Sequence, residues 1–140
     1  MALTWDKSLA VGVKFIDDQH QELFRQVNGL LEAILKNQGK EEVGKLLAFL
    51  GKYTVEHFGA EEKVMFQYKY PDLAKHTKQH ADFIAAFTKL KGEFDKLGAT
   101  PNVSITLNRF VCQWLRDHIG GTDTALGKFL KAAGAKEVNA

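Results

Sequence analysis

Cysteine is almost absent: Cys112 is the single one among 140 residues. An internal disulfide and a cysteine-based metal site are therefore excluded, and the neighbours Phe110, Val111 and Trp114 mark Cys112 as a buried, inert thiol. Proline occurs only at Pro71 and Pro101, so few positions force a helix to stop. No apolar run approaches the roughly 18 residues that a membrane span needs. Basic residues form no stripe. The net charge is +2, with lysines and acidic side chains interspersed, which speaks against nucleic acid and membrane insertion. Serine appears only as Ser8 and Ser104, with no nucleophile motif around either. The stretch from Gly121 to Lys128 has the wrong glycine spacing for a phosphate loop, and Phe129 stands where Ser or Thr would be needed. The N-terminal residues, with Trp5, Asp6 and Lys7, lack a long apolar stretch followed by a cleavage site, so a cytoplasmic protein is expected.

What the chain does have is apolar residues at three-and-four spacing. Breaks at Asn37-Gln38-Gly39, Pro71 and Gly98-Ala99-Thr100 divide this pattern into four predicted helices, at 18–37, 40–67, 73–97 and 103–119, followed by a short helix at 124–133. Residues 1–16 are expected to lie as an extended arm over the helices, anchored by Trp5. Helices of this length with short turns make an all-α, up-down-up-down four-helix bundle the simplest architecture, one domain over residues 1–140.

Each apolar stripe carries residues that do not belong in a core. His20 begins the first stripe, and His57 and Glu61 continue the second. His76 and His80 lead the third, and His118 closes the fourth. The chain has five histidines, and all five fall on core-facing stripes, where each needs a partner. His57 and Glu61 are four apart, as are His76 and His80, which puts each pair on one helix face about 6 Å apart along the axis. Antiparallel helices place equal distances from a turn at equal heights. His20 lies 18 residues before Gln38 and His57 lies 19 after it; His80 lies 19 before Ala99 and His118 lies 19 after it. Glu61 and His76 flank Pro71 more closely, so all six residues fall at one end of the bundle. Asp123 follows His118 past Gly120-Gly121, where a helix break is expected to swing its carboxylate back to the same place.

Seven ligands without a thiolate are too many for one first-row metal and suit a pair of iron ions. Structural zinc prefers four ligands, often with cysteine, and ferritin-like di-iron sites use mostly glutamates. Two six-coordinate ions offer twelve positions. Five imidazoles, two bridging carboxylates and a bridging oxo or hydroxo group occupy eleven, which leaves one open for a small ligand bound end-on. Transfer of two electrons to O2, with a proton moving from the bridge onto a resulting hydroperoxide, leaves the net charge of such a site unchanged. The reaction can therefore run backwards.

The motifs resemble the hemerythrin family, in particular the single-domain bacteriohemerythrins. Its pattern is a lone His, then HxxxE, HxxxH and HxxxxD on successive helices. Here these read as Ile16-Asp17-Asp18-Gln19-His20, His57-Phe58-Gly59-Ala60-Glu61-Glu62, His76-Thr77-Lys78-Gln79-His80 and His118-Ile119-Gly120-Gly121-Thr122-Asp123. The resemblance implies that His76, His80 and His118 bind a coordinatively full iron, that His20 and His57 bind the iron with the open position, and that Glu61 and Asp123 bridge the two. It places Glu62 toward solvent, and it implies an O2 pocket of Leu23, Phe58, Trp114, Leu115 and Ile119.

The expected function is reversible binding of O2 by a monomer, for carriage, storage or delivery to an oxygen-consuming enzyme. The alternatives are a di-iron redox enzyme (a ferroxidase, peroxidase or nitric-oxide reductase) and an oxygen or redox sensor.

Overall fold

The breaks in the periodic pattern become the turns of an antiparallel bundle. The computed structural model describes residues 3–98 and 100–134, with the backbone alone at Asn108. Met1 and Ala2 of the expected arm, Ala99 of the third turn and residues 135–140 of the expected domain lie outside the described residues. Three long helices, α1 (Lys14–Leu35), α2 (Lys40–Gln67) and α3 (Leu73–Leu97), are followed by α4 (Pro101–Leu107), α5 (Gln113–Asp117) and α6 (Thr124–Ala132). The last three are joined by the π-helical turns Asn108–Cys112 and His118–Asp123 into one continuous rod. Among the described residues there are no strands, and no helix is long and apolar enough to cross a membrane.

Local chemistry explains each turn. α1 and α2 end alike, with a non-glycine residue in the left-handed region, Asn37 and Lys69, both at φ 55°. In each case the next amide closes back on the helix: Gln38 N–H donates to Ala33 O at 3.0 Å and Tyr70 N–H to Met65 O at 2.9 Å, which satisfies carbonyls the helix leaves free. Pro101 opens α4, where its missing N–H costs nothing, and the hydroxyl of Thr100 accepts from Val103 N at 3.2 Å.

Helix α1 starts at Lys14, four residues earlier than the pattern predicted. Asp17 is the reason: in the first turn its carboxylate accepts from the amides of Val11, at 2.8 Å, and Gly12, at 3.2 Å, and so ties arm to helix. The arm is extended apart from a 3₁₀ turn at Lys7–Leu9. Trp5 packs on the core as expected, but the firmer anchor is Asn28. Its side chain accepts from Leu3 N at 2.7 Å and donates to Leu3 O at 2.8 Å.

The larger departure is in the last rod. In place of a break at Gly120-Gly121, the helix runs on through a wide turn. Thr124 Oγ1 donates to the carbonyls of Gly120, at 2.8 Å, and Gly121, at 3.0 Å, which the widening frees.

Two apolar clusters fill the bundle. The larger includes Leu23, Leu47, Phe58, Phe83, Leu115 and Ile119. The smaller includes Val13, Ile16, Val64, Met65, Leu126 and Leu130. The motif residues lie where the two clusters meet, for example His20 between Ile16 and Leu23 and Glu61 between Phe58 and Val64.

Val11 seals the smaller cluster by passing close over Gly127, where an added Cβ would stand 2.2 Å from Val11 O. Gly127→Ala is therefore expected to lift the arm from α6 and to destabilise the fold by about 1–3 kcal/mol. Denaturant unfolding checks this, and a stability equal to that of the parent would contradict so close a contact.

Candidate metal centre

His20 comes from α1, His57 and Glu61 from α2, His76 and His80 from α3, and His118 and Asp123 from the second π turn. All seven are buried, none more than 4% exposed. The π turn accounts for Asp123. On a regular helix, residues five apart point about 140° away from each other. The wide turn brings Asp123 under His118, with Oδ1 3.2 Å from His118 Nε2.

The donor atoms form two groups that share both carboxylates. Glu61, His76, His80, His118 and Asp123 offer atoms within 4.8 Å of one another, and so do His20, His57, Glu61 and Asp123. Each carboxylate divides its oxygens between the groups. Glu61 Oε1 lies 3.5 Å from His76 Nε2 and 3.2 Å from His80 Nε2. Its Oε2 lies 3.4 Å from His20 Nε2 and 3.1 Å from His57 Nε2. Asp123 Oδ1 also faces His76 at 3.0 Å, and Oδ2 faces His20 at 3.0 Å.

These approaches are not aligned as hydrogen bonds. All four carboxylate oxygens and Nε2 of His20 and His76 are buried without a hydrogen-bond partner among the described residues. Orphan polar atoms cost about 1–3 kcal/mol each, so this many in one place call for a cation. Two donors each about 2.1 Å from one ion and at right angles stand about 3.0 Å apart, which is the spacing found. The residues fit a binuclear site with carboxylate and imidazole ligands.

Electrostatics agree. In the metal-free chain, burial would strip the proton from His20, but the close approach of Asp123 and Glu61 outweighs it and holds the imidazole up to about 10. The same balance holds His76 up to about 9. Burial works against ionised Glu61 and Asp123, yet the surrounding imidazoles hold both well below the ordinary carboxylate range. His118 is lowered, chiefly by burial.

Three imidazoles are aimed by acceptors on their outer nitrogens. His57 Nδ1 donates to Gln19 Oε1 at 2.7 Å and His118 Nδ1 to Gln79 Oε1 at 2.8 Å. Thr122 Oγ1 also donates to Gln79 Oε1, at 2.9 Å. His80 Nδ1 donates to Glu62 Oε2 at 2.8 Å. A donating Nδ1–H leaves the Nε2 lone pair facing the centre. Glu62 therefore does not simply face solvent: its side chain is 34% exposed and its carboxylate holds a buried ring. Sequence reasoning missed Gln19 and Gln79. Each immediately precedes a motif histidine, but each serves the histidine of a neighbouring helix.

Of the five residues expected to line a ligand pocket, Leu23, Phe58, Leu115 and Ile119 are buried in the larger cluster and Trp114 is half-buried beside it. Phe58 stacks face to face on His80, with centroids 3.8 Å apart, and Trp114 stacks on His118 at 4.3 Å.

Residues 11–130 match the family model of the hemerythrin HHE cation-binding domain. The chain belongs to the hemerythrin family. Within that family it is 34% identical to a bacteriohemerythrin of Methylococcus capsulatus, over 93% of this chain and 98% of that protein. It is 32% identical to a bacteriohemerythrin of Stenotrophomonas maltophilia, over 93% and 82%, and 32% identical to a myohemerythrin of Riftia pachyptila, over 85% and 86%. A crystal structure of wild-type hemerythrin superposes with a TM-score of 0.81 at 31% identity, over 91% of this chain and 97% of that one.

Metal uptake near neutral pH is expected to release at least two protons, from His20 and His76. Both imidazoles are charged below their raised values, and only neutral imidazole ligates. The release should fade as pH rises through about 9 and then about 10. Calorimetric titration in buffers of different protonation enthalpy measures it, and uptake without proton release would contradict this charge balance. Glu62→Ala is expected to lower metal affinity about tenfold or more by freeing the His80 ring. Competition against a chelator reads the change, and an unaltered affinity would show that the ring needs no such support.

Proposed function

We propose that the cluster holds two iron ions and that the chain binds O2 reversibly, as a carrier or store. In this reading His76, His80 and His118 ligate one ion and His20 and His57 the other, with Glu61 and Asp123 bridging. One observation carries it: each carboxylate turns one oxygen toward a three-histidine set and the other toward a two-histidine set. With two ions bound, the two-histidine side would have one protein ligand fewer and so room for a further small ligand. When bound, a pair of ferrous ions supplies two electrons and one open position to a diatomic ligand, in a change that can be reversed.

The chain's own residues favour the reverse step. Leu23, Phe58, Leu115 and Ile119 are each 1–2% exposed and offer no proton donor. A charged product that left the site would have to cross this apolar layer, at a high desolvation cost. Keeping water and protons from the centre slows loss of reduced oxygen and the oxidation that would inactivate the site. The polar side chains Gln79, Glu62 and Thr122 cluster on the three-histidine side. A redox enzyme or a sensor on this scaffold would need proton delivery to the bound oxygen or an output contact.

Protein loaded with ferrous ion without oxygen is expected to develop a charge-transfer band in air and to lose it when the gas is removed, over repeated cycles. Irreversible oxidation on first exposure would overturn the carrier reading. His118→Ala is expected to bind fewer than two irons per chain in a metal assay; two retained irons would overturn the ligand assignment. Leu115→Ala should admit water and speed autoxidation without loss of metal.

A further inference from the structure

Several grooves lead from the surface toward the centre, among them a small polar one of about 230 Å³ at His76, and the two larger ones that follow differ in chemistry. One, of about 760 Å³, ends on His118 and Trp114 between polar side chains that include Gln79, Arg109, Asp117 and Thr122. The other, of about 520 Å³, runs between α2 and α3. Its lining includes Leu47, Ala48, Val55, Phe83 and Ile84, and its charged members Lys52, Glu56 and Lys91 are exposed or half-exposed. Its buried hydroxyl, on Thr54, is spent on its own helix, donating to Leu50 O at 2.7 Å. Beside it Gly51 carries no side chain, and the Phe87 ring lies against the bare backbone, 3.0 Å from where a Cβ would stand.

The apolar groove ends on Phe83, which is 2% exposed. Phe83 meets Phe58 edge-on, with centroids 5.9 Å apart. Phe58 in turn stacks on His80 and lies 5.9 Å from His57. A small molecule in the groove is thus separated from the imidazoles by two aromatic rings, and among the described residues no buried polar atom without a hydrogen-bond partner lines the groove. Apolar gases gain by leaving water for such a surface, whereas water and ions lose hydrogen bonds there. We propose that the α2–α3 groove is a binding site for apolar gas and the path by which O2 reaches the centre, with Phe83 as the gate. The polar groove at His118 then serves water and protons. The role in O2 access rests on the carrier reading; the gas site itself does not.

Crystals of the iron-loaded protein under xenon pressure test the site directly. Xenon is expected in the groove against Phe83, and a groove left empty under pressure overturns the proposal. Val55→Trp, at an exposed position on the α2 wall, should displace that xenon. It should also slow O2 association and O2 release in stopped flow by a similar factor, about fivefold or more, because a path affects both directions and leaves the affinity unchanged. Thr88→Trp, from the α3 wall, should act alike, and Ile105→Trp, in the polar groove, should leave both rates as they are. Wild-type rates in both groove-filling variants, or a change in one direction only, would overturn the path. Failure of the wild-type protein to bind O2 reversibly would instead remove the carrier reading, and the xenon result would still decide the groove.

Discussion

Seven ionisable side chains share one buried layer, and the bundle is organised around making that layer tolerable. Isolated, each would be costly to bury. Together they cancel: the carboxylates stay ionised because imidazoles surround them, and His20 and His76 keep a raised affinity for protons because carboxylates face them. The layer is closed above and below by apolar clusters, which strengthen every charge interaction inside it. A cluster so balanced accepts a cation in exchange for protons, and that exchange underlies the proposed chemistry.

Asymmetry follows from which helices contribute what. α3 and the last rod face the same half of the layer and bring three imidazoles to it, while α1 and α2 bring one each to the other half. Polar support is uneven as well. Glu62, Gln79 and Thr122 hold the three-histidine side, and among the described residues Gln19 reaches the two-histidine side, through His57. The half with fewer donor residues thus also has fewer polar neighbours among the described residues, which suits the proposed neutral diatomic ligand better than a reaction that consumes protons.

Most of this was legible because histidine is scarce and the periodicity strong. Five histidines, all on core-facing stripes, point to a shared purpose once antiparallel counting sets them at one height. The legible part stops where a local rule is overridden by packing. Gly120-Gly121 reads as a break, since glycine favours helix ends. The helix continues there because the carboxylate of Asp123 meets its partners only through a widened turn, and Thr124 repairs the carbonyls. Glu62 reads as a surface residue next to a buried Glu61, yet the exposed edge of its helix adjoins His80 on α3. Gln19 and Gln79 carry no signal in their own helices, since their partners lie 38 and 39 residues away.

The order of residues determined by itself the helices, their turns and the height at which the donors stand, because period, breakers and chain distance are local or additive quantities. Only the tertiary structure decided how each carboxylate splits its oxygens, which side chain aims which ring, and where grooves open between the helices. Those depend on the rotation of each helix about its axis and on gaps between helices, and both are set by the packing of all of them at once.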